Sequence, residues 1–369
     1  SANGSASFDK NGDLTAMLFP SLRAGPNNDF GLNLKQNPAS GLDITVTGRS
    51  LDGSMLVHHT DSSAAAPPQA NAQPSHEPFR VSANLDRLML RDGIVVSPFS
   101  LSVRGAGERP ETMSLSGTLG KGAKITAAIV SGTDGRKLTI NADNAGALVD
   151  GLFNFSSIKG GTLSASANMS PLTATDPPAD PKNPAVDFQG MLQVKSFRVT
   201  HQPFLARLFA AGSLGGLVDL LSNQGISFDK LEMPFKSHAG IIEVRGARAA
   251  GGSVGITADG YVDRPRDQVS IGGTLAPVYG LNSVLGVVPI LGNILVSKPG
   301  EGVIGMTYNV SGNSEEPKIS VNPFSVLTPG IFRRIFEGTH VPPPVSPSQV
   351  IAPATPGKPN PKPAATGPQ

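Results

Sequence analysis

The feature that most constrains this chain is a two-residue alternation of apolar and polar side chains, renewed at roughly ten-residue spacing over much of its length. Phe79, Val81, Ala83 and Leu85 alternate with polar neighbours. Ile94–Val96, Leu101–Val103, Met113–Leu119, Ile125–Ile129 and Leu138–Ile140 continue the series between Gly-rich turns. A period of two sends successive side chains to opposite faces, as half-buried strands require. Short strands at this spacing predict an all-β sheet built as a meander. An apolar–x–Gly–x–Leu pattern recurs at Leu115–Leu119, Phe188–Leu192 and Ile271–Leu275, weak evidence for a repeated sheet unit.

The flanking segments extend the reading. Ser1–Pro38 is loosely patterned, and residues 1–60 together read as β-rich. In Gly41–Gly48, Leu42, Ile44 and Val46 fall on one face and Asp43, Thr45 and Thr47 on the other. Ser54–Thr60 is the expected partner strand. Residues 61–78, rich in Ala, Pro, Gln and Ser, read as a flexible linker or loop insertion. The meander occupies 79–170, and Asn144–Phe153 is expected as one short helix within it. Residues 171–184 form a Pro-rich loop, and 185–336 a second β-rich region. Residues 337–369 make a Pro-rich tail expected to be disordered or polyproline-like.

Two apolar stretches interrupt the strand pattern. Pro203 begins a helical run whose Phe204, Leu205, Leu208 and Phe209 recur at helical spacing. Leu214, Leu217, Val218, Leu220 and Leu221 follow, with Gly212, Gly215 and Gly216 splitting the run in two. The second stretch, Ala276–Val296, has no charged residue and is long enough to cross a bilayer. Pro289 would break a spanning helix, so two short helices hinged there are expected. Both stretches admit two compatible readings: caps on the sheet's apolar interior, or contacts with lipid. The lipid-contact candidates are Phe204, Leu205, Leu208, Leu217, Leu281, Val284, Leu285, Val288, Ile290 and Leu291. Thr328–Phe336 reads as a last short amphipathic helix.

Composition narrows the functional classes. The net charge is +2 with both signs interspersed, which leaves no electrostatic footprint for nucleic acid. The 43 Gly and 33 Pro make roughly a fifth of the 369 residues, below the level of plain disorder. Absence of Cys excludes a disulfide scaffold and is compatible with the periplasm. The six His (His58, His59, His76, His201, His238 and His340) lack metal-site spacing, and His58 and His59 point to opposite faces of a strand. Gly160-Gly161 and Gly251-Gly252 lack a phosphate-loop pattern. No pair of carboxylates stands out for acid–base work. The expectation is a protein without catalytic activity, cofactor or metal.

A resemblance enters in the C-terminal part. Phe197-Arg-Val-Thr-His-Gln-Pro203 leads to Gly212-Ser-Leu-Gly-Gly216 and Gly225-Ile-Ser-Phe228. Gly255-Ile-Thr-Ala-Asp-Gly-Tyr-Val-Asp263 and Gly273-Thr-Leu-Ala-Pro277 follow, then Tyr279-Gly-Leu-Asn282 and Val288-Pro-Ile-Leu-Gly292. Gly302-Val-Ile-Gly-Met-Thr-Tyr308, Pro317, Val321-Asn-Pro-Phe-Ser-Val-Leu-Thr-Pro-Gly330 and Phe332-Arg-Arg-Ile-Phe336 close the set. In this order, from Phe188 to Phe336, the chain resembles the C-terminal region of the bacterial AsmA-like family, in its YhdP/TamB-related branch of bridge-like lipid-transfer proteins. The resemblance implies a mainly β fold: an extended, twisted antiparallel sheet forming an apolar groove, with a few short hydrophobic helices near the C-terminal end. It also implies a periplasmic body in a Gram-negative cell, anchored to the inner membrane by an N-terminal segment upstream of Ser1. The implied role is outer-membrane biogenesis, with phospholipid acyl chains carried between the inner and outer membranes. The expected partners are phospholipid and, at the C-terminal end, a membrane surface or outer-membrane protein. An assembly factor that binds outer-membrane proteins by strand pairing is the competing expectation.

Overall fold

The computed structural model describes residues 1–37, 41–54, 77–91, 94–107, 109–120, 122–153, 155–171, 187–211, 214–277, 303–314 and 316–327. In chain order the strands are β1 (Ala2–Phe8), β2 (Leu14–Ala24), β3 (Asn28–Asn37), β4 (Gly41–Asp52), β5 (Pro78–Arg91), β6 (Ile94–Ala106) and β7 (Arg109–Leu119). Next come β8 (Ala123–Gly132), β9 (Gly135–Ala142), β10 (Ile158–Met169), β11 (Phe188–Val199), β12 (Ile226–His238) and β13 (Ile241–Ala250). The last are β14 (Val254–Asp263), β15 (Gln268–Pro277), β16 (Val303–Asn313) and β17 (Lys318–Leu327). Helix α1 (Ala145–Phe153) joins β9 to β10, and α2 (Pro203–Ala211) and α3 (Gly215–Asn223) join β11 to β12.

Each strand pairs with the next in sequence, so the described strands form one open, twisted sheet. The meander expectation holds, and it reaches back into Ser1–Pro38, where three strands occupy the loosely patterned stretch. One step departs from it: β4 and β5 are parallel, with Leu42 opposite Phe79 and Asp52 opposite Met89. The partner of the Gly41–Gly48 alternation is therefore β5 rather than Ser54–Thr60, whose residues 55–60 lie outside the described residues. A parallel pair needs a crossover of a dozen residues or more, which the 61–78 insertion is long enough to supply. Across the Pro-rich loop, β10 pairs with β11 from Met169–Phe188 to Ile158–Val199, so the sheet runs through the 171–184 break without interruption. The Pro289 hinge, the Thr328–Phe336 helix and the Pro-rich tail lie outside the described residues.

The helices share one rim of the sheet, because β9, β11 and β15 all end there and β10, β12 and β16 all begin there. Asn144 starts α1 by accepting the Ala147 N–H at 2.9 Å, and Pro203 opens α2 where no helical donor is needed. Gly225, at φ +77°, ends α3 by donating to the Leu220 carbonyl at 2.7 Å. Leu205, Leu208 and Phe209 of α2 and Leu217 and Leu221 of α3 form one apolar stripe. It packs with Ile226, Phe228, Val254, Leu275 and Met306 from the strand ends.

Helix placement shows that the sheet is curled. Helix α1 reaches β5 and the start of β6, where Gly151 lies against Leu90 and Ile94, and α2 reaches β17. In a flat sheet β5 would stand ~19 Å from β9, and β17 ~24 Å from β12, at ~4.8 Å per strand. A helix about 10–12 Å across closes neither gap, so the strands must curve around the helices. Glycine permits close strand approach at the recurring apolar–x–Gly–x–Leu sites. A Cβ on Gly117 would strike Val96; one on Gly190 would lie 2.8 Å from Phe235 Cζ, and one on Gly273 2.8 Å from Tyr308 Oη. At each site a neighbouring strand's side chain fills the space that a Cβ would take.

Candidate functional site

Strand register converts the alternation into a surface. Ala6 faces Met17, which faces Leu34, then Ile44, Val81 and Val103. The same row continues through Met113, Ile129, Leu138, Ala167 and Gly190. It ends through Phe235, Val244, Gly260, Ile271, Val310 and Ile319. All seventeen described strands contribute, and every member is apolar or glycine. At ~4.8 Å per step its contour is about 75 Å.

A second row, Leu32–Val46–Ala83–Leu101–Leu115–Ala127–Ile140–Ala165–Leu192–Met233, runs beside the first from β3 to β12. Closer to the helices lie Leu85, Phe99, Ile125, Ala142, Leu163 and Val194, all buried. In the two outer rows most side chains are only half-buried, Leu101, Leu115, Ile140, Val81 and Leu138 among them. The helices therefore cover one side of the trough and leave an apolar lane along the other. A contiguous, half-buried apolar band of this length leaves apolar surface in reach of a ligand, as binding surfaces do.

The opposite face is polar in register. Asn84, Ser100, Ser116, Thr126, Asn141, Ser164, Gln193 and Glu232 form one cross-strand row. Buried Glu232 closes that row with Lys230 at 2.5 Å, Gln193 at 3.4 Å and Arg248. Burial alone would push its carboxyl up, but hydrogen bonds and charge from Lys230 and Arg248 outweigh this and hold it below the ordinary value. On the apolar side, Tyr308 donates its hydroxyl to the Thr257 carbonyl at 2.6 Å. Desolvation, aided by Asp259, pushes its pKa up to about 12. Arg136, next to Leu138 along the same side of β9, brings a charge to the margin of the lane. It is buried and donates to the Pro110 carbonyl.

The residues expected to touch lipid divide in two. Leu205, Leu208 and Leu217 lie together in the core under the helices, and Phe204 is half-buried against it. Leu281, Val284, Leu285, Val288, Ile290 and Leu291 lie outside the described residues. The lane was missed residue by residue, although its signal was present: every member belongs to an alternating segment, and only the register joins them. Among the described residues, no group of three His, Asp or Glu is placed to hold a metal ion. His238 forms an exposed pair with Asp187 at 2.8 Å. No helix among the described residues is long and apolar enough to cross a membrane.

Compared with known proteins, the chain matches no family model, no curated protein and no solved structure.

Proposed function

We propose that this chain is a non-enzymatic lipid-transfer protein of outer-membrane biogenesis, whose trough holds phospholipid acyl chains. The observation that carries the reading is the unbroken apolar row across all seventeen strands, half-buried along most of its length. Alkyl chains gain about 0.8 kcal/mol per methylene removed from water, and a continuous lane offers that gain at every step. Sliding along such a surface needs no covalent chemistry. The polar opposite face lets the body remain hydrated while its interior is greasy. The resemblance to the AsmA-like family adds the setting: a periplasmic body anchored to the inner membrane, and delivery toward the outer membrane.

The deciding experiment is native mass spectrometry, with lipid extraction, of the chain purified from a Gram-negative host. Co-purified phospholipid is expected, released by solvents that dissolve acyl chains. A protein that carries no lipid, and takes up none when offered phospholipid vesicles, would overturn carriage. One observation favours a second reading, an assembly factor acting by strand pairing. Among the described residues β1 pairs only with β2 and β17 only with β16, which leaves an outer edge on each. Capture of an outer-membrane strand peptide by the lipid-free protein would support that reading.

A further inference from the structure

We infer that the helix rim at the start of β10 is a docking site for an anionic lipid bilayer surface. This concerns the outside of the molecule and stands apart from carriage in the lane.

Two independent observations meet there. The first is apolar exposure. Phe153, the last residue of α1, is 63% exposed, and Phe155, in the turn before β10, is 37% exposed. That turn is moored to the sheet, because Thr200 at the end of β11 donates to the Ser157 carbonyl at 2.9 Å. Two phenyl rings left in water cost free energy unless something apolar covers them.

The second is charge. Lys159 on β10 stands directly opposite Arg198 on β11, and Lys195 on β11 opposite Lys230 on β12. Like charges in directly opposed positions are unfavourable in a sheet. Lys230 is drawn to Glu232, while Arg198 reaches only the Ser227 hydroxyl at 3.3 Å. The Arg198 stem lies beside Gly225, where a Cβ would fall 2.8 Å from its Cγ. Of the acids nearby, Glu232 is already engaged by Lys230 and Arg248, Asp229 is exposed beside Lys230, and half-buried Asp150 precedes Phe153 in α1.

Aromatic rings on the rim that also carries Lys159 and Arg198, neither of which pairs with an acid among the described residues, match the layering of a bilayer with anionic headgroups: acyl boundary for the rings, headgroup level for the charges. A protein partner would need a pocket for the rings; a membrane accepts them without one. Val130, 62% exposed on β8 near the opposite rim, lies opposite Lys137 but lacks a second aromatic or an opposed basic pair, and serves as the control.

The test is co-sedimentation of the full chain with vesicles of phosphatidylcholine alone and with an equal part of phosphatidylglycerol. Binding to the anionic vesicles, weakened by salt, is expected. Charge reversal in Lys159→Glu/Arg198→Glu should weaken it at least ~25-fold, from roughly fivefold per basic residue removed. Phe153→Ser/Phe155→Ser should weaken it about tenfold or more and leave the salt dependence intact. Val130→Ser should change nothing. Failure of the wild type to bind, equal binding to neutral vesicles, or rim variants that bind like the wild type would each overturn the inference. Lipid counts from native mass spectrometry separate this result from carriage. Variants that lose vesicles but keep bound lipid support the rim alone, and a lipid-free wild type that still binds vesicles removes carriage and leaves the rim.

Discussion

Placing a carboxylate in the middle of the lane, by Leu115→Asp, is the sharpest test of the proposed surface. Leu115 is half-buried and sits between Leu101 on β6 and Ala127 on β8, directly opposed to both. A carboxylate there keeps its water, because moving an ionised group against alkyl chain is strongly unfavourable. The retained water separates a bound chain from Leu101, residue 115 and Ala127. Full burial of a Leu side chain is worth about 1.5–3 kcal/mol, and these side chains are already half covered, so each forfeits roughly 0.5–1 kcal/mol. Together the loss is ~2 kcal/mol, or about 30-fold in affinity for an acyl probe. The control is Ser116→Asp, one residue along and therefore on the polar face, which should leave affinity unchanged. Displacement of a fluorescent acyl probe, with circular dichroism to confirm folding, reads both variants. Equal affinity in folded Leu115→Asp and wild type, or equal losses in both variants, would refute the reasoning that the apolar face is the binding surface.

Three further outcomes test the architecture. Gly190→Val should cost about 1–3 kcal/mol, because the new side chain meets Phe235 and the Ser166 carbonyl; a reduced urea midpoint measures it. Leu208→Ala should cost about 2–5 kcal/mol and loosen the α2–α3 cap, read as a lower midpoint and faster hydrogen exchange in both helices. The buried Tyr308 phenol, raised to about 12, binds its proton more tightly folded than unfolded. Its contribution is therefore complete below pH ~10 and lost as pH rises through ~12, an effect of about 3 kcal/mol. Alkaline unfolding followed by circular dichroism should shift to higher pH in Tyr308→Phe once its neutral-pH loss of the Thr257 hydrogen bond is subtracted.

Strand existence was legible because alternation is a local property: Val81, Ala83 and Leu85 announce a face without reference to any other strand. Register was not, because a slip of one residue between β4 and β5 would exchange Ile44 for Thr45 opposite Val81, and only the assembled sheet excludes it. The parallel step was hidden for the same reason, since its cause is the long segment between the two strands rather than a signal inside either. The α2–α3 helices were legible from Leu205, Leu208, Leu217 and Leu221 at helical spacing and from Pro203. Their reach to β17 was not, because curl accumulates over many strands and has no single residue as its source. Phe155 illustrates the limit on surfaces: in sequence it resembles any core aromatic, and only folding leaves it outside.

Pairing in strict sequence order has a consequence for how such a molecule can vary in length. Each strand's hydrogen bonds run to its immediate neighbours, so away from the helices that reach β5 and β17 stability is close to a sum of nearest-neighbour terms, as in solenoid repeats. Adding one hairpin returns the chain to the rim it left and restores the facing of every later side chain. Removing one does the same. Length thereby becomes a free variable, adjustable in steps of ~10 Å per hairpin. A sheet of this kind works as a ruler whose divisions are hairpins.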